Sequence, residues 1–114
     1  MVIPNGTART WPQANELCAS ATTFEVICPI PSPNNTRGEA ATIGELAASR
    51  GWTSLTMVTS TYHVSRAHLM LDRCFDGDIA AVKAKPEIGP SSWVGKIVHE
   101  WLGHAQARIL VRGC

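Results

Sequence analysis

Residues 54–71 read SLTMVTSTYHVSRAHLML, and a change of period inside them decides the fold. From Ser54 to Thr59, β-branched and large apolar residues crowd together as they do in a buried strand. Beyond Ser60 the apolar positions become Val64, Ala67, Leu71 and Cys74, spaced three, four and three, which is the repeat of a helix with one buried face. A strand that feeds directly into a helix is the building unit of a parallel sheet, because parallel neighbours need a long crossover.

The same alternation extends outward. Upstream, Thr36-Arg37-Gly38-Glu39 has the T-x-x-E spacing of a capping box and opens a helix whose apolar face is Ala40, Ile43, Leu46 and Ala47, ended by Arg50-Gly51. The preceding CPIPSPNN (28–35) carries three prolines and must be a loop. Before it, TTFEVI (22–27) reads as a strand, and Thr10-Trp11-Pro12 starts a helix carrying Ala14, Leu17, Cys18 and Ala21. Val2-Ile3 gives a short first strand. Downstream, Asp76-Gly77-Asp78 turns the chain into a strand over 79–84, and Ser91-Ser92 open a long last helix. These units predict a Rossmann-like three-layer α/β sandwich with a mostly parallel sheet of about four strands, in one domain over residues 1–114.

Composition narrows the partners. Ten Lys+Arg against nine Asp+Glu give a formal charge of +1, which excludes the basic footprint of a nucleic-acid binder. No apolar run is long enough for a membrane helix, and Met1 to Gly6 lacks the features of a signal peptide, so these residues encode neither a membrane segment nor export. Cys18, Cys28, Cys74 and Cys114 contain no C-x-x-C pair, and no metal site is expected. They are read as buried or free thiols, with a Cys18–Cys28 bridge as the alternative in an oxidising compartment, where two disulfides would use all four.

Ligands of open parallel sheets bind beyond the carboxyl ends of the strands, where helix N-termini present unpaired N–H groups. Polar residues gather at those ends here: Asn5-Gly6-Thr7, then 34–39, then 59–66. His63 and Arg66, three apart in the first turn of a helix, share a face directed at that edge, and an anion suits it. His63, Arg66, Asn35 and Glu39 are therefore expected in one cleft. Plainer roles compete at each position: capping for Thr36, Glu39 and Ser60 or Thr61, and an ordinary ion pair for Arg66. His68, His99 and His104 are read as bystanders, and Trp93 and Trp101 as core or interface.

Asn35-Thr36-x-x-Glu39-Ala40 and Val58-Thr59-Ser60-x-x-His63-x-x-Arg66-Ala67 resemble two boxes of the domain of unknown function 218 family, the YdcF-like and SanA-like proteins. A third family motif, a strand ending in Ser-Gly-Gly, is matched only in part by Val2-Ile3-Pro4-Asn5-Gly6, where Asn5 replaces a glycine. The family's earlier strand has no counterpart, so either Met1 is an internal start or the chain is a reduced, N-terminally shortened member. The resemblance implies a Rossmann-type domain linked to the bacterial cell envelope that takes a phosphate-containing or nucleotide-like ligand. It points to a metal-independent phosphoryl or pyrophosphoryl hydrolase or transferase. The alternatives are a non-catalytic nucleotide or S-adenosylmethionine module, or an inactive remnant. Carried over, His63 and Glu39 are the catalytic candidates, and Gly6, Asn35, Thr36, Thr59, Ser60 and Arg66 the ligand-binding ones. No cofactor is assigned.

The last helix carries apolar residues from Trp93 to Leu110 over more than one stripe. A homodimer through this helix or an uncovered strand is expected.

Overall fold

The computed structural model describes residues 1–4 and 12–114. Its elements run α1 (Pro12–Ala19), α2 (Thr36–Arg50), β1 (Ser54–Ser60), α3 (Val64–Asp72), β2 (Asp78–Ala84) and α4 (Pro90–Ile109). The chain is mixed α/β, with a parallel two-stranded sheet in which Leu55 stands opposite Ile79 and Val58 opposite Val82.

The strand-to-helix unit read at 54–71 forms with β1 one residue longer than expected and α3 beginning at Val64. Alternate residues of β1 face inward, and Leu55 and Met57 pack with Ile79 against a core of Ala40, Ala47, Met70, Leu71, Phe75 and Ala107. The core is small because the contact between α2 and α3 runs through small residues. A Cβ on Gly44 would lie 3.0 Å from the Cys74 Cβ and overlap the Cys74 carbonyl oxygen, so α2 lies close to the turn that follows α3 only with glycine there.

Helix α2 ends as its sequence dictates. Gly51 takes φ 66°, and the Trp52 N–H returns to the Ala47 carbonyl at 2.9 Å, a left-handed C-terminal cap that a glycine reaches without strain. Its start differs from expectation. Asn35 rather than Thr36 is the N-cap, with extended backbone and its side-chain oxygen accepting from the Gly38 N–H at 3.0 Å. Both residues have capping side chains; extended backbone at Asn35 places its carboxamide over the first turn, and the Thr36 hydroxyl is left for other work. Helix α4 likewise begins at Pro90, after Gly89, instead of at the Ser91-Ser92 pair.

Among the described residues the four-strand sheet expected from the sequence is not seen. The first and second candidate strands contribute one isolated parallel bridge, Val2 with Ile27, held by Ile3 N–H to Ile27 O at 2.8 Å and Ile27 N–H to Met1 O at 2.9 Å. The proline-rich segment that follows Ile27 prevents extension of that pairing, since each proline removes a donor and fixes its backbone. The turn Asn5-Gly6-Thr7 lies outside the described residues.

Nor are the cysteines free thiols. Cys18 joins Cys28 and Cys74 joins Cys114, so all four are paired. The second bridge pins the C-terminus to the end of α3, where Arg73 also donates to the carbonyls of Ala107 and Val111 at 3.0 and 2.6 Å. No described helix is long and apolar enough to cross a membrane.

Candidate functional site

At the carboxyl end of β1 the chain turns through Thr61, Tyr62 and His63 into α3. The Thr61 backbone N–H and hydroxyl both donate to the Ala84 carbonyl, at 3.0 and 3.1 Å, which locks this turn to the end of β2. The His63 N–H donates to Ser60 O at 2.9 Å and makes His63 the N-cap of α3 without a side-chain cap. Neither Ser60 nor Thr61 takes the capping role. Tyr62 meets Trp93 edge to face at 5.8 Å and so ties the turn to α4.

One turn into α3, Arg66 leaves the same face as His63, as the i, i+3 spacing requires. The anion it meets belongs to the chain itself. Glu100 on α4 accepts a forked pair from Arg66, Nε to Oε2 at 2.7 Å and Nη2 to Oε1 at 2.9 Å. His63 Nδ1 stands 3.0 Å from Glu100 Oε2. The Glu100 side chain is only 9% exposed. Arg66 Nη1 also donates to the Thr36 hydroxyl at 3.2 Å, bringing the first residue of α2 into the cluster. Three segments far apart in sequence thus meet in one charged group.

Its electrostatics follow from this packing. Burial alone would raise the Glu100 carboxyl pKa, but hydrogen bonds from Arg66 and His63, together with their positive charge, outweigh it and hold the group at about 2 against an ordinary 4.5. Arg66 Nη2 is also 3.1 Å from His63 Nδ1. A guanidinium only donates and a carboxylate only accepts, so Nδ1 can satisfy one of them at a time. The Nδ1–H form pairs with the carboxylate and leaves Nε2 with its lone pair, the orientation in which a carboxylate-held imidazole works as a base.

Of the residues expected at the site, His63, Arg66 and Thr36 come together, and Asn35 is the cap one residue before Thr36. Thr59 and Ser60 end β1 half-buried, and among the described residues neither side chain makes a hydrogen bond to protein. Glu39 is half-buried on the first turn of α2, and its carboxylate makes no hydrogen bond or ion pair among the described residues. The structure gives no contact between Glu39 and the cluster. Gly6 lies outside the described residues.

Glu100 is the residue the sequence reading missed. Its signal is the spacing Glu100, Gly103, Ala107, a line of one carboxylate and two small residues at helical intervals along α4. Gly103 is needed there, since a Cβ would lie 2.9 Å from the Arg66 Cδ. Away from the cluster, His104 Nε2 stands 3.0 Å from Ser65 Oγ. That pair lines a shallow open groove of about 450 Å³ with His68, Asp72, Lys83 and Arg108, which does not include the His63 cluster. The cluster carries the functional argument because Glu100 is buried and its half-buried partners are oriented on it, whereas the groups of the groove are largely exposed. Among the described residues no group of His, Cys, Asp and Glu could hold a metal ion.

A scan against protein-family models finds no match, and neither curated proteins nor solved structures yield one.

Proposed function

We propose that this chain is a YdcF-like or SanA-like Rossmann-type domain that binds a phosphate-containing or nucleotide-like ligand beside His63, and that His63 is its acid–base group in phosphoryl or pyrophosphoryl transfer or hydrolysis. The observation that carries the reading is the contact of His63 Nδ1 with the buried Glu100 carboxylate at 3.0 Å. A histidine held at one nitrogen by a carboxylate has a fixed ring plane and a basic second nitrogen, which is what proton transfer at neutral pH needs.

The ligand's charge would be met by the N-terminus of α2 and by the Thr36 hydroxyl. Arg66 sets the positions of Glu100, His63 and Thr36, and its own charge is largely matched by Glu100. Two disulfides that use every cysteine suit an oxidising compartment and fit the envelope association that the resemblance implies. A non-catalytic binding module is the second reading. It is favoured by Glu39, the other catalytic candidate, making no contact with the cluster.

Calorimetric titration with pyrophosphate and with ADP, followed by assay of phosphate release, separates the two. The proposal expects saturable binding that His63→Ala weakens and turnover that it abolishes. Binding without turnover establishes the module, and no binding of either probe overturns both readings.

A further inference from the structure

Helix α4 packs on the rest of the chain along Glu100, Gly103 and Ala107, with Trp93, Lys96 and His104 reaching Tyr62 and Ser65 beside that line. On the opposite side Val94, Ile97, Val98, Trp101, Leu102 and Ile109 are all exposed, Trp101 to 78%. Their spacing puts them on one continuous stripe along the helix. Such a stripe loses its contact with water only against another apolar surface. The whole chain exposes 7599 Å², against about 6100 Å² for a monomer of its size, 12.3 kDa. The excess of about 1500 Å² is shared between α4 and the other exposed apolar residues, among them Val58 and Val82 on the sheet, and a standard interface takes about 800 Å² from each partner.

We infer that the α4 stripe is the interface of a two-fold homodimer in which the α4 helices of two copies pack antiparallel about an axis beside Trp101. The charges on the helix favour a second copy over a charged partner. Lys96 is drawn to its own chain, with Nζ 5.8 Å from the centre of the Tyr62 ring. Glu100 is buried in the cluster with Arg66. Arg108, at the edge of the stripe, falls opposite the partner's Gly95, around which nothing lies within 4 Å. Trp101 then covers the partner's Leu102, and Val94 the partner's Ile109, so that one contact repeated by symmetry buries the stripe of both copies.

Sedimentation equilibrium on the full chain, with its disulfides intact, tests this. The wild type should sediment as a dimer at micromolar concentration. Trp101→Glu should raise the dissociation constant by more than about 30-fold, the scale of a central aromatic anchor, with an unchanged circular dichroism spectrum. Should Trp101→Glu fail to fold, Val98→Lys makes the same break at the next turn and is read in its place. A monomeric wild type overturns the inference. So does a dimer that survives both helix variants but is lost in Val58→Glu, since Val58 is 68% exposed on the outer face of the sheet. Open-ended oligomers would also overturn it, because a two-fold contact closes on itself.

Discussion

Replacing Glu100 with Gln keeps its shape and removes its charge, leaving Arg66 and His63 facing a neutral amide in a site only 9% exposed on the Glu100 side. The size of the effect comes from two routes. The carboxyl is held at about 2 against 4.5, and 2.5 pH units at 1.36 kcal/mol each is about 3 kcal/mol of folding free energy. Removing one partner of a buried ion pair costs roughly 3–5 kcal/mol, and the partial exposure of Arg66 and His63 puts this site at the lower end. A loss of about 3 kcal/mol at pH 7 is expected in urea unfolding with both disulfides intact.

The pH dependence gives a second check with a definite sign. A depressed carboxyl contributes stability that is complete above its unfolded value near 4.5 and disappears as pH falls through its folded value near 2. The stability difference between wild type and Glu100→Gln should therefore be constant from pH 7 down to about 5 and shrink steadily toward pH 2. A difference below about 1 kcal/mol at pH 7, or one that does not shrink in acid, would refute the claim that this ion pair is buried and oriented.

Other perturbations have equally definite signs. Arg66→Met combined with Glu100→Met should cost less than either change alone, because no buried charge is left unpaired; a double-mutant cycle by urea unfolding measures it. Cys114→Ser opens the bridge that closes a 40-residue separation and should cost about 4 kcal/mol by chain entropy, against about 3 for Cys18→Ser with its separation of 10, read from the same unfolding curves. Gly44→Ala should destabilise by about 1–3 kcal/mol because its Cβ meets Cys74. Gly95→Ala, in open space on α4, should instead stabilise by about 0.5–1 kcal/mol, seen as a higher melting temperature.

The helices and the central strand were legible because their signals are local. Period and turn residues mark 36–50, 54–60 and 64–72 without reference to anything distant. Position 35 or 36 as the cap was not legible from the T-x-x-E pattern, since Asn and Thr both cap and backbone conformation chooses between them. The first two strands failed for a different reason. Residues 2–3 and 22–27 have strand composition, but a strand exists only where a partner lies beside it, and composition does not supply one. At the site, the His63–Arg66 face followed from helix geometry, whereas its carboxylate sits 34 residues further along on another helix. The sequence left an external anion and an ordinary ion pair both open for Arg66, and nothing local marked Glu100 as the partner.

The central claim, that His63 is a proton-transfer group held by Glu100 and set beside an anionic ligand, is tested most directly by imidazole nitrogen chemical shifts during a pyrophosphate titration. His63 should carry a proton on Nδ1, directed at Glu100, in the free protein. A saturable shift of its Nε2 signal should follow on adding pyrophosphate, while His68, His99 and His104 stay in place. A His63 with no proton on Nδ1, or pyrophosphate that moves all four histidines alike or none of them, would contradict it.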